Sequence, residues 1–170
     1  MADPDRHRVY LCEDRLARWA ASAGPVVVDG RLVTVEPEHT FADLASTRLF
    51  CTLTCLELGL PPVTVRRRQG ETESHYDPSR QEIALASWGG RRLVVLHELA
   101  HHLARHHPGH DGAEPDHGPL FRRSFVDLLA HVGLPRQSAE LRRLLQDAGL
   151  ALASAAPTAR DDDPGGTPRD

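Results

Sequence analysis

The fold and the chemistry of this chain turn on Leu93-Val94-Val95-Leu96-His97-Glu98-Leu99-Ala100-His101-His102-Leu103. Leu93, Leu96, Leu99, Ala100 and Leu103 recur at i, i+3, i+4 spacing, which predicts an amphipathic helix over 91–106, stopped by Pro108-Gly109. Inside it lies the pattern His-Glu-x-x-His. Residues four apart share a helix face, so the imidazoles of His97 and His101 can reach one metal ion while Glu98 projects beside it toward a water. Two neutral imidazoles and a third protein ligand suit zinc, with the fourth position left for water. His117, in Asp116-His117-Gly118-Pro119-Leu120-Phe121, is the leading third ligand, because Gly118-Pro119 favours a turn entering a helix. His106, His107, His110, Asp111, Glu114 and Asp116 compete with it. His102 follows His101 directly and points about 100° away from the ligand face, so it is expected behind the ligands or in solvent.

Outward from this stretch the chain alternates small strands and helices. A helix is expected over 10–21, then a hairpin in which 26–28 and 31–35 flank Asp29-Gly30, a turn pair suited to positive φ. Thr40 is the expected N-cap of a helix over 41–58. Strands are read at 63–66, 75–76 and 82–86, and two more helices at 118–131 and from a Ser138 cap to Gly149. The fold class is therefore α+β, a small antiparallel sheet packed with the His-Glu-x-x-His helix and further helices. Residues 1–152 form one domain. Residues 153–170 are Ala, Pro, Asp, Gly and Thr with no apolar period, and are expected to be a disordered tail.

Composition narrows the classes. The 170 residues are 40% hydrophobic and 26% charged, sufficient for one core, and no apolar run is long enough for a membrane span. The first residues, MADPDRHRVY, have no apolar signal segment, so a cytoplasmic location is expected. Net charge is −4, against broad coating of nucleic acid, although Arg66-Arg67-Arg68, Arg91-Arg92, Arg122-Arg123 and Arg142-Arg143 could form a local stripe. Solvated faces are the plainer reading of those pairs. Cys12, Cys51 and Cys55 are an odd number, which argues against a disulfide framework and for buried small hydrophobes. His75 and Tyr76 are candidate oxyanion stabilisers, and Trp19 and Trp88 are expected to pack.

Leu96-His97-Glu98-Leu99-Ala100-His101-His102-Leu103 followed by His117-Gly118-Pro119-Leu120-Phe121 resembles the SprT-like and related minimal zincin metallopeptidases. More closely, the chain resembles a family of metallohydrolases from actinobacteria and their phages, from Arg8-Val9-Tyr10 to the last predicted helix. The resemblance implies a zinc ion on His97, His101 and His117, Glu98 as catalytic base, and an edge strand at 82–86 beside the substrate cleft. SprT proteins often add a zinc ribbon or DNA-binding extension, and this chain has no CxxC pair.

The expected function is thus a zinc-dependent metallopeptidase with one zinc per chain and a protein or peptide substrate. A non-catalytic zinc-stabilised binding module is the first alternative, and a DNA-associated SprT-like protease the second.

Overall fold

The computed structural model describes residues 3–22, 26–28, 31–33, 35–69 and 73–154. The order is α1 (Arg6–Ser22), β1 (Val26–Val28), β2 (Arg31–Val33), α2 (Leu44–Glu57), β3 (Thr64–Arg67), β4 (His75–Asp77), β5 (Glu82–Leu85), α3 (Arg92–Arg105), α4 (Pro119–His131) and α5 (Pro135–Asp147). The α+β class stands. The tip of the β1–β2 hairpin and residues 155–170 of the expected tail lie outside the described residues.

The three-stranded sheet has order β3-β5-β4 and is mixed, a correction to the antiparallel sheet expected. β4 takes the antiparallel place beside β5, with Tyr76 opposite Ile83, and leaves β3 to run parallel on the other side, with Val65 opposite Ile83. The strand at 82–86 is therefore central and not the edge. Its sequence says why: Ile83, Ala84, Leu85 and Ala86 are all buried, and a continuous apolar run is what a strand covered on both faces needs. The edges are β3 and β4, and β4, the one with the sequence His-Tyr-Asp, is polar, as edges usually are.

α3 packs on β4 and β5 on one side and on α4 on the other; α4 packs on α5, and α5 on α1. This central position explains why a 14-residue helix buries Val95, Leu96, His97, Glu98, Leu99, Ala100 and His102 together. Its N-terminus has no side-chain cap of its own; Glu38 Oε1 accepts from Leu93 N at 3.0 Å and the His39 carbonyl from Arg92 N at 2.7 Å. Two expected caps move. Asp43 caps α2 through Ser46 N at 2.7 Å, while Thr40 makes a β-bridge to Arg91. Ser138 sits inside α5, where its hydroxyl donates to the Val126 carbonyl at 2.7 Å and ties α5 to α4. Pro135 opens that helix instead, its fixed φ suiting the first turn. Near the C-terminal end of the described residues, Ala153 N donates to the Pro119 carbonyl at 3.0 Å. No helix among the described residues is long and apolar enough to cross a membrane.

All three cysteines are free and buried, as their odd number suggested. Burial, reinforced by Cys55, pushes the Cys51 thiol from 9.0 up to about 12. An unfolded chain releases that proton from about pH 9, whereas the folded chain keeps it to about 12, so stability is lost as pH rises through that window. The melting temperature should fall between pH 9 and 12, and Cys51→Ala should flatten the fall when the two are followed by circular dichroism.

Candidate metal centre

His97 and His101 leave α3 one turn apart, and His117 reaches them from the residue just before the Gly118 cap of α4. The three Nε2 atoms converge. His97 Nε2 lies 3.2 Å from that of His101 and 3.3 Å from that of His117. Among the described residues these three are the group able to hold a metal ion, with donor atoms all within 4.8 Å of one another. The rival ligands go elsewhere. Glu114 accepts from Leu120 N at 2.6 Å and so caps α4. His107 and His110 accept from Gly109 N and Gly112 N and shape the loop, and the His106 ring packs on His102 at 4.6 Å.

Each ring is aimed by its other nitrogen. His97 Nδ1 meets Glu13 Oε1 at 2.8 Å and His117 Nδ1 meets Asp3 Oδ2 at 2.5 Å. His101 bonds to the Asp116 backbone. An imidazole that donates from Nδ1 presents the Nε2 lone pair, which is what a metal requires. Burial holds His101 well below the ordinary histidine range, helped by the neighbouring imidazoles, and lowers His117 against the pull of Asp3. Burial also acts downward on His97, but Glu13 outweighs it and the result is raised.

Phe121, 2% exposed, sets the spacing from below. Its ring centroid lies 4.9 Å from His97, 4.2 Å from His101 and 4.8 Å from His117. Gly118, three residues earlier, sits close under the Glu114 side chain that caps the helix, which a Cβ at 118 would force to shift. The run His-Gly-Pro-Leu-Phe thereby places a candidate ligand, a close approach, the first helical turn at Pro119 and Leu120, and the Phe121 ring beneath the three imidazoles.

Glu98 is 5% exposed. Burial raises its carboxyl to about 7, opposed by His97 and by a bond from the Tyr76 backbone N–H. That bond comes from the sheet edge, so β4 and α3 together place the carboxylate. The Tyr76 hydroxyl is not the oxyanion donor the sequence suggested. His102 Nε2 lies 2.9 Å from the Pro61 carbonyl, which can only accept, so Nε2 carries the proton and Nδ1 accepts from Tyr76 at 2.9 Å. His102 is thus fully buried and pins β4 to α3. His75 Nδ1 lies 2.8 Å from Arg68 Nη1. On the opposite wall Tyr10 packs its ring against His97 and His117, and Arg6 Nε donates to its hydroxyl at 3.3 Å.

Three residues of the centre carried no motif. Glu13 and Asp3 hold His97 and His117, and Arg122, 3% exposed, donates from Nη1 to the His117 carbonyl at 3.0 Å and to Asp5 at 2.8 Å. Arg122 is therefore not part of a solvated arginine face. Glu13 had one available signal: it falls beside the inward stripe Val9, Cys12, Leu16, where an acid needs a partner.

The three histidines open into a cleft of about 840 Å³ between Arg6 and Tyr10 of α1, the β4 edge at His75 and Tyr76, and the loop before His117. A second cavity of about 470 Å³ adjoins it at Tyr10, His97 and Glu98, and is walled by Leu16, Trp88 and Leu93. Arrangements of this kind can bind a cation, polarise a bound carbonyl and move a proton through Glu98. No protein-family model, curated protein or solved structure matches the chain.

Proposed function

We propose that the protein is a single-domain, zinc-dependent metallopeptidase of the minimal zincin kind, akin to the SprT-like and actinobacterial metallohydrolases its motifs resemble. The observation that carries this reading is a buried carboxylate, Glu98, beside three converging imidazoles at the floor of an open cleft. The donor set fits zinc. At a Zn–N length of about 2.0 Å, two tetrahedral ligands lie about 3.3 Å apart, close to the 3.2 and 3.3 Å between the histidine nitrogens.

His97, His101 and His117 would hold the ion, which supplies Lewis acidity and acidifies a water molecule. Glu98 accepts the proton of the attacking water and returns it to the leaving amine nitrogen. The Tyr76 N–H keeps the carboxylate aimed into the cleft. The outer side of β4 borders the same cleft, where an extended peptide can add as a further strand.

A zinc-stabilised binding module would call for a closed shell of four protein ligands, and three converge among the described residues. A DNA-bound protease would need a free basic stripe, whereas Arg66 pairs with Glu82, Arg92 with Glu36, Arg123 with Asp127, and Arg143 with Glu140 and Asp147. Salt-dependent DNA binding is the measurement that would favour it.

Elemental analysis of the purified protein should find about one zinc per chain. His117→Ala should release most of it, and His110→Ala, whose ring shapes the loop, should not. Ligand imidazoles must be neutral, so protons compete with the metal and affinity should fall as pH drops below about 6. Full zinc retention by His117→Ala would overturn the ligand set.

A further inference from the structure

Two of the three converging histidines are held by acids from one short stretch at the start of the described residues. Asp3 reaches His117 and Glu13 reaches His97, with side chains only 14% and 19% exposed. A third acid of the stretch, Asp5, pairs with Arg122 Nη1, the same nitrogen that donates to the His117 carbonyl. His117 is thus held at its ring by Asp3, 114 positions earlier, and at its carbonyl by Arg122, which Asp5 pairs with in turn. Neither α3 nor the loop before α4 supplies these contacts.

We propose that Asp3 and Glu13 are positioning residues of the metal centre, and that docking of residues 3–13 and binding of zinc reinforce one another. The inference rests on the reading of His97, His101 and His117 as zinc ligands. Its physical content is orientation. A carboxylate on Nδ1 fixes the tautomer, turns the Nε2 lone pair inward and raises the basicity of the ligand, and outer partners of this kind set metal affinity over a 10–100-fold range (about one to two decades). Because such coupling is reciprocal, a stretch that tightens the metal must itself be tightened by the metal. The second arm, through Asp5 and Arg122, makes that reciprocity larger for His117 than one hydrogen bond would.

The test uses the full chain and zinc alone. Zinc dissociation constants are measured by competition with a chromophoric chelator for wild type, Asp3→Asn, Glu13→Gln and the double variant. Each single change should weaken zinc by about 10–100-fold, and the double change by more. Asp14→Asn is the control: it removes the same charge one residue along, from an exposed side chain that holds no ligand, and should leave affinity unchanged. The second measurement needs no variant. Trypsin cleavage after Arg6 and Arg8 of wild type, followed by mass spectrometry, should slow when zinc is added. That result decides the matter should the substituted proteins fail to fold. Unchanged affinity in both single variants, or cleavage indifferent to zinc, overturns the inference while leaving the ligand set in place. A wild-type chain that binds no zinc overturns both.

Discussion

Replacing Glu98 with glutamine should leave zinc content and melting temperature near those of wild type and lower peptide hydrolysis by about 10²–10⁴-fold. The side chain is almost wholly buried and receives the Tyr76 N–H, and an amide oxygen can accept the same bond at the same volume. What the amide lacks is a lone pair basic enough to take a proton from water. The change therefore removes one chemical capacity and little structure. Burial has already lifted the carboxyl to about 7, the range in which a base works best near neutral pH. His97→Ala is the companion experiment. It should lose zinc and hydrolysis together, because it deletes a ligand and leaves Glu13 facing a void. Unstructured protein such as casein is a suitable substrate for the comparison, given the free strand edge beside the site. Equal cleavage by wild type and Glu98→Gln would sink the proposed mechanism and favour a zinc-stabilised binding module.

The parts of this site that could be read in the sequence are those fixed by local geometry. Helical spacing places His97, Glu98 and His101 without knowledge of anything distant, and Gly118-Pro119 marks a helix start directly after His117. The long-range parts were not legible. Asp3 gives no local sign that it will meet His117, since the contact spans 114 positions and depends on how α1 lies against α5 and the loop. Arg122 reads as one of several paired arginines until α4 is seen to turn it toward Asp5 and the Ala151 carbonyl. The sheet shows a different failure. Ile83-Ala84-Leu85-Ala86 carried the signature of a strand buried on both faces, and the polar His75-Tyr76-Asp77 that of an edge. The resemblance placed the edge at 82–86, and the composition of the two strands was the better guide. Caps erred for a simpler reason: Thr40, Asp43 and Ser138 all suit an N-cap chemically, and tertiary packing chose among them.

Phe121→Ala should cost about 3–5 kcal/mol, the usual range for deleting a buried aromatic, and should weaken zinc binding as well. The ring is 2% exposed and lies within 5 Å of all three imidazoles, so its loss opens a cavity directly under the three histidines. At about 2–4 °C per kcal/mol for a chain of this size, the melting temperature should drop by roughly 6–20 °C. Stability alone would not distinguish a platform from an ordinary core residue. Phe125 supplies the comparison, because it is equally buried, packs against Phe121 at 6.0 Å, and touches only His97 of the three, also at 6.0 Å. Phe125→Ala should therefore lose a similar share of stability but much less zinc affinity. Calorimetry on the metal-free proteins and chelator competition on the same samples give the two quantities separately. Phe121→Leu refines the test, since it keeps most of the apolar volume while removing the flat face that spaces the rings. Should the two alanine variants weaken zinc to the same extent, Phe121 is core packing and nothing more, and the ligands are spaced by Asp3, Glu13 and the Asp116 backbone alone.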